Sequence, residues 1–181
     1  MAETLIDRIL IDQETLQKRI ADLGKTISTD YEGKDLVLIC VLKGGVPFLT
    51  DLMRHISEPH EIDFMAISSY GVGRRESSGA VRLIMDLKAD IAARDVLIVE
   101  DIVDSGRTMD YLLRQFRARE PASLRVCTLL NKPSRRVVHV PLDYVGFDIP
   151  DEFVLGYGLD LDEKHRNLPF VAIAKGAELH E

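Results

Sequence analysis

Two segments of this chain leave few choices of fold. Residues 35–56, DLVLICVLKGGVPFLTDLMRHI, and residues 96–116, VLIVEDIVDSGRTMDYLLRQF, share one plan: unbroken apolar residues, a turn of small residues, then a helical pattern. An apolar run without polar alternation is a buried strand. In the second segment Met109, Leu112, Leu113 and Phe116 make one apolar helical face. In the first, Pro47 sits where the opening turn of a helix tolerates it. Residues 9–27, ILIDQETLQKRIADLGKTI, predict a short apolar segment and a helix capped by Asp12, with Leu16, Ile20 and Leu23 on its inner face. Residues 62–87 read as strand, polar loop, strand; LRVCTLLNKP is a strand closed by Pro133; residues 142–176 are short strands and turns. Strands alternating with helices predict an α/β fold whose core is a parallel sheet flanked by helices.

In such a sheet ligands sit beyond the carboxyl ends of the strands, and the unusual clusters of this chain fall there. Glu100 and Asp101 follow an apolar run side by side and repel each other unless a cation or hydroxyl donors lie against them. Asp104 to Thr108 then offers two hydroxyls, a glycine for close backbone approach, and the positive end of a helix. A diol reader next to a phosphate cradle describes a ribose 5-phosphate site. A helix entry capped by Asp104 or Ser105 explains the loop alone equally simply. Neither GxxxxGK[ST] nor GxGxxG occurs in the required place, which excludes a P-loop and a dinucleotide fingerprint.

The 181 residues suit one domain, and the formal charge of −7 argues against a nucleic-acid binder. No apolar run approaches a membrane span, and the acidic N-terminus is not a signal peptide. Cys40 and Cys127 lie in apolar runs and read as small buried hydrophobes of a protein in a reducing cytoplasm.

VLIVEDIVDSGRT resembles the ribose-phosphate motif of the type I phosphoribosyltransferases. With LKGG, SSYG, LLNKP, DEFVLGYGLD and RNLP in the same order, the chain resembles the hypoxanthine phosphoribosyltransferase family over nearly its whole length. The resemblance implies a single domain with a small hood formed by the chain ends, about residues 1–15 and 150–181. It implies transfer of a 5-phosphoribosyl group from phosphoribosyl pyrophosphate to a 6-oxopurine, purine salvage, magnesium, and a homodimer or homotetramer.

The resemblance also implies roles. Glu100, Asp101, Asp104, Ser105, Gly106, Arg107 and Thr108 would hold the phosphoribosyl group, with Asp104 as general acid or base at purine N7. Lys43 and Gly44, with Gly45 in the same turn, and Arg166 would hold pyrophosphate, the guanidinium fork suiting phosphate oxygens. A cis peptide is implied at Leu42–Lys43, unusual for a non-proline bond. Lys132 would check purine position 6 for an oxo group, since an ammonium donates and cannot accept. Phe153 would stack on the base and Val154 would read its edge. Ser69 and Tyr70 would work in a mobile loop, residues 69–79, that excludes water. Glu100, Asp101 and Asp160 would meet magnesium.

Read without the resemblance, Lys43 belongs to a glycine turn, Asp160 to an acidic surface turn, Arg166 to the surface and Phe153 to the core. A regulatory nucleotide sensor on the same fold and a relative preferring xanthine stay open at this point.

Overall fold

The computed structural model describes residues 5–69 and 81–176. Strand β1 (Ile6–Ile11) leads into helix α1 (Gln13–Asp30), whose start is set by Asp12: its Oδ1 accepts the Thr15 amide at 2.8 Å. Leu16, Ile20, Leu23 and Ile27 recur every three or four residues and are the side of α1 that is buried.

Strands β2 (Leu36–Leu42), β3 (His60–Ser69), β4 (Val81–Met85), β5 (Asp95–Val103), β6 (Ser123–Asn131) and β7 (Tyr144–Asp148) form one six-stranded sheet in the order β4-β3-β2-β5-β6-β7. Every neighbouring pair is parallel except β3 with β4. Helix α2 (Val46–Leu52) follows β2, and α3 (Arg107–Arg117) follows β5.

The continuous apolar runs are explained by burial on both faces. Leu36, Leu38 and Cys40 of β2 join α1 and α2 in one core, while Val37, Ile39 and Val41 join Met109, Leu112, Leu113 and Phe116 of α3 in the other. Each such side chain contributes about 1.5–3 kcal/mol by leaving water. Cys40 and Cys127 are free and buried in the first core, and burial pushes the Cys40 thiol up to about 12.

A second sheet has three strands in the order β1-β9-β8, with β8 (Val154–Leu155) and β9 (Val171–Ala174), all antiparallel. Arg8 ties β1 to the approach of β8 through Glu152 at 2.6 Å. The Tyr157 hydroxyl donates to Asp51 Oδ2 of α2 at 2.6 Å, fastening the segment after β8 to the main body. No described helix is long and apolar enough to cross a membrane.

Two boundaries differ from the sequence expectation. Glu100 and Asp101 lie within β5, which runs on to Val103, instead of at its end. The helix expected to reach Ile56 stops at Leu52 and tightens into a 3₁₀ turn over Met53–His55.

Candidate active site

Strands β2, β5 and β6 are neighbours, and parallel pairing brings their carboxyl ends to one edge. A cavity of about 270 Å³ opens there, walled by Glu100, Asp101, Asp104, Ser105, Gly106, Thr108 and Met109, with Val41, Leu42, Ile67, Ile102 and Val103 supplying apolar floor.

Glu100 is 8% exposed, and its Oε2 is buried without a hydrogen-bond partner. Burial pushes its carboxyl well above the usual carboxylate range, and the charge of Asp101 adds to the shift. The Asp101 carboxyl is raised too, chiefly by burial, against hydrogen bonds from Glu100 and from the Ile102 amide at 2.8 Å. A cation, hydroxyl donors or a shared proton each relieves two carboxyls so placed.

Gly106 stands at the N-cap of α3 with φ of 83° and no side-chain cap. The cap expected from Asp104 or Ser105 is therefore not what starts this helix; the Ser105 hydroxyl reaches the Arg107 amide only at 3.5 Å. Any Cβ at Gly106 would strike the Val138 carbonyl. The Val137 and Val138 amides donate to the Ser105 carbonyl at 3.0 Å each, so the loop is held from behind while the first turn of α3 fronts the cavity.

Lys132 follows the last residue of β6, and its amide donates to the Val103 carbonyl at 3.1 Å. The residue is 3% exposed, with Nζ 3.7 Å from Asp104 Oδ1, an oxygen otherwise without a partner. Neighbouring strands thus place a buried ammonium and a carboxylate side by side at the cavity rim.

The Lys43–Gly44–Gly45 turn joins β2 to α2, and the Leu42–Lys43 peptide bond is cis. Gly44 presses against the Asp101 carboxylate, and Gly158, at φ of 98°, presses against the Gly44 carbonyl. Arg166 grips the same place: Nη1 donates to the Gly158 carbonyl at 2.7 Å, and Nη2 meets Asp160 Oδ1 at 2.8 Å and Glu163 Oε1 at 3.3 Å. Lys43 Nζ meets Glu163 Oε2 at 2.7 Å.

The structure therefore gathers Glu100, Asp101, Asp104, Ser105, Gly106 and Thr108 on one cavity, with Lys132 against Asp104 and Gly44 against Asp101. Arg107 is exposed at the start of α3. Asp160 stays with Arg166, and no three His, Cys, Asp or Glu side chains converge among the described residues. Phe153 is half-buried and Val154 is buried on β8, outside the cavity wall. Ser69 closes β3, whose Ile67 lines the cavity; Tyr70 and the rest of the expected loop lie outside the described residues.

Sequence reasoning missed Gly158 and Glu163. Gly158 has a weak local signal in the GYG spacing, whereas Glu163 in LDLDEK reads as one more solvated acid. Their partners, Gly44 and Lys43, lie over a hundred residues away in the chain.

Comparison with known proteins fits this geometry. The phosphoribosyl transferase domain family matches residues 9–162. A hypoxanthine-guanine phosphoribosyltransferase of Mycobacterium avium is 54% identical over 92% of this chain and 84% of its own. One from Streptococcus thermophilus is 47% identical over 97% of both. A crystal structure of a hypoxanthine phosphoribosyltransferase from Staphylococcus aureus superposes with a TM-score of 0.92, at 42% identity, covering 96% of this chain and 94% of that one. With an uncapped helix N-terminus, an acid pair and a lysine–aspartate pair all at one sheet edge, this chain belongs to the hypoxanthine-guanine phosphoribosyltransferase family.

Proposed function

We propose that the protein salvages purines, moving the 5-phosphoribosyl group of phosphoribosyl pyrophosphate to hypoxanthine and guanine and releasing pyrophosphate with IMP or GMP. The observation that carries this reading is the Asp104–Lys132 pair beside the acid pair and the α3 N-terminus. The C1′–pyrophosphate bond breaks, the purine N9 bonds to C1′, and the proton at N7 passes to Asp104. Asp104 Oδ1, without a hydrogen-bond partner, is suited to accept it. Gly44, Lys43 and Arg166 orient and neutralise the leaving diphosphate, while Ser105, Gly106, Arg107 and Thr108 hold the 5′-phosphate. Phe153 and Val154 face the base, and the segment with Ser69 and Tyr70 shields the reacting carbon from water. Purified protein with magnesium, phosphoribosyl pyrophosphate and hypoxanthine forms IMP; no IMP would end this reading.

The residues present fit magnesium. Glu100, buried with one oxygen unsatisfied, and the half-buried Asp101 form an acid pair, and magnesium is commonly held by one or two carboxylates together with substrate phosphates and water. Asp160 is the third candidate, at the price of its Arg166 pairing. Bound there, the ion supplies positive charge to the ribose hydroxyls and the diphosphate. Relief of the acid pair has its own readout. Glu100→Gln raises the Tm of the ligand-free protein by about 2–4 °C, the response of a chain this size to about 1 kcal/mol. Added magnesium then raises the wild-type Tm more than that of the variant. A variant that melts below wild type refutes the relief.

Lys132 selects the oxo group. In Lys132→Ala, discrimination between hypoxanthine and adenine falls by about tenfold to a hundredfold, as expected when a stranded polar group costs about 1–3 kcal/mol. Steady-state kcat/KM for both bases checks it, and unchanged discrimination removes Lys132 from the role.

Ile62, Ile84 and Met85 expose apolar surface on β3 and β4, which favours assembly into a homodimer or homotetramer. Two free buried thiols suit a cytoplasmic setting.

A further inference from the structure

The turn after Asp160 is tightly built. Leu161 and Lys164 exchange backbone hydrogen bonds at 3.1 Å each, and Asp162, Glu163 and His165 all have left-handed backbones, with φ of 52°, 62° and 71°. The Glu163 amide donates to Asp160 Oδ2 at 2.9 Å. This geometry turns the Glu163 side chain back to Lys43, far away in the sequence, and sets its two oxygens on two cations: Oε2 on Lys43 Nζ at 2.7 Å and Oε1 on Arg166 Nη2 at 3.3 Å.

Those cations are the pair read above as holding pyrophosphate, and the inference rests on that reading. A carboxylate presents two oxygens to charged donors much as a phosphate presents its own. We infer that Glu163 is a stand-in anion, bridging Lys43 and Arg166 until the diphosphate of the substrate displaces it, so that its carboxylate sets the affinity of this subsite.

Glu163 does not hold the arginine in place. Arg166 is already fastened by the Gly158 carbonyl at 2.7 Å and by Asp160 at 2.8 Å, both closer than Glu163. The Lys43–Glu163 contact, in contrast, is open to water, with side-chain exposures of 67% and 65%. Exposed pairs of this kind are weak and exchange readily. A diphosphate, carrying more charge than one carboxylate, wins the two cations; the carboxylate keeps Lys43 oriented in the meantime and lowers the affinity for what replaces it. The same competition aids release, because Glu163 returns as pyrophosphate leaves.

The test measures binding of inorganic pyrophosphate in magnesium by calorimetry, with the full-length wild type, Glu163→Gln and Glu32→Gln. Glu32 is exposed beyond the end of α1, so its variant makes the same one-charge change away from the site. Glu163→Gln is expected to bind pyrophosphate about three- to tenfold more tightly and to lower the KM for phosphoribosyl pyrophosphate by a similar factor, the size of one or two exposed ion pairs. Its KM for hypoxanthine stays as in wild type, and Glu32→Gln matches wild type throughout. If Glu163→Gln binds pyrophosphate no better than wild type, or if Glu32→Gln tightens binding equally, the stand-in role is overturned while the family reading stands on wild-type formation of IMP. A wild type that forms no IMP removes the reading beneath both.

Discussion

Gly44→Ala is expected to lower kcat/KM for phosphoribosyl transfer by about a hundredfold or more while the protein still folds. Gly44 has no room on either side: a methyl group would overlap the Asp101 carboxylate, and its carbonyl already touches Gly158. Asp101 is anchored in β5, which β6 pairs through to Val103 and β2 pairs up to Val99, so the strand resists displacement. The turn must move instead, and it carries the groups that we propose receive the diphosphate. A displacement of about 1 Å in a positioning element is enough for about a hundredfold loss. Kinetics with a parallel melting curve check this; near-wild-type kcat/KM would show that the contact between the turn and Asp101 has slack.

Asp104→Asn is expected to reduce kcat by about a hundredfold to ten-thousandfold, the contribution of a positioned acid or base. An amide keeps the shape and cannot take up a proton at the same site. The KM for phosphoribosyl pyrophosphate changes little, because the loop from Ser105 to Thr108 is held by the Val137 and Val138 amides and not by the Asp104 side chain. Lys132 loses its anion in this variant. Asp104 is 45% exposed, so solvent softens that loss, and a modest fall in Tm accompanies the kinetic one. Single-turnover measurements separate the chemical step from release. A kcat within a few-fold of wild type would move the proton transfer to another group.

Much of the fold was legible because its signals are local. The unbroken apolar runs of β2 and β5, the period of α1 and α3, and the cap at Asp12 each act within a few residues of chain. The Asp104–Thr108 loop was legible for the same reason. Where Glu100 and Asp101 sit was not: the pairing of Glu100, Ile102 and Val103 with Thr128, Leu130 and Asn131 on β6 shows that the strand continues through the acids. The early end of α2 is likewise set by its surroundings, since the segment that follows must turn towards β3. Asp160 illustrates the limit most clearly. Its sequence neighbourhood suits both a surface acid and a metal ligand, and the structure gives it a third partner, Arg166, that spacing alone does not single out.

The strand that bears the acid pair lies in the interior of the larger sheet, with β2 and β6 bonded along it. Amides from Val96 to Val99, flanked by paired strands on both sides, exchange with deuterium only when the whole domain opens, whereas β8, two residues long, is free to fray locally. Substrate entry and product exit are therefore tasks for the cover, and the floor on which bond exchange occurs keeps its shape through every turnover.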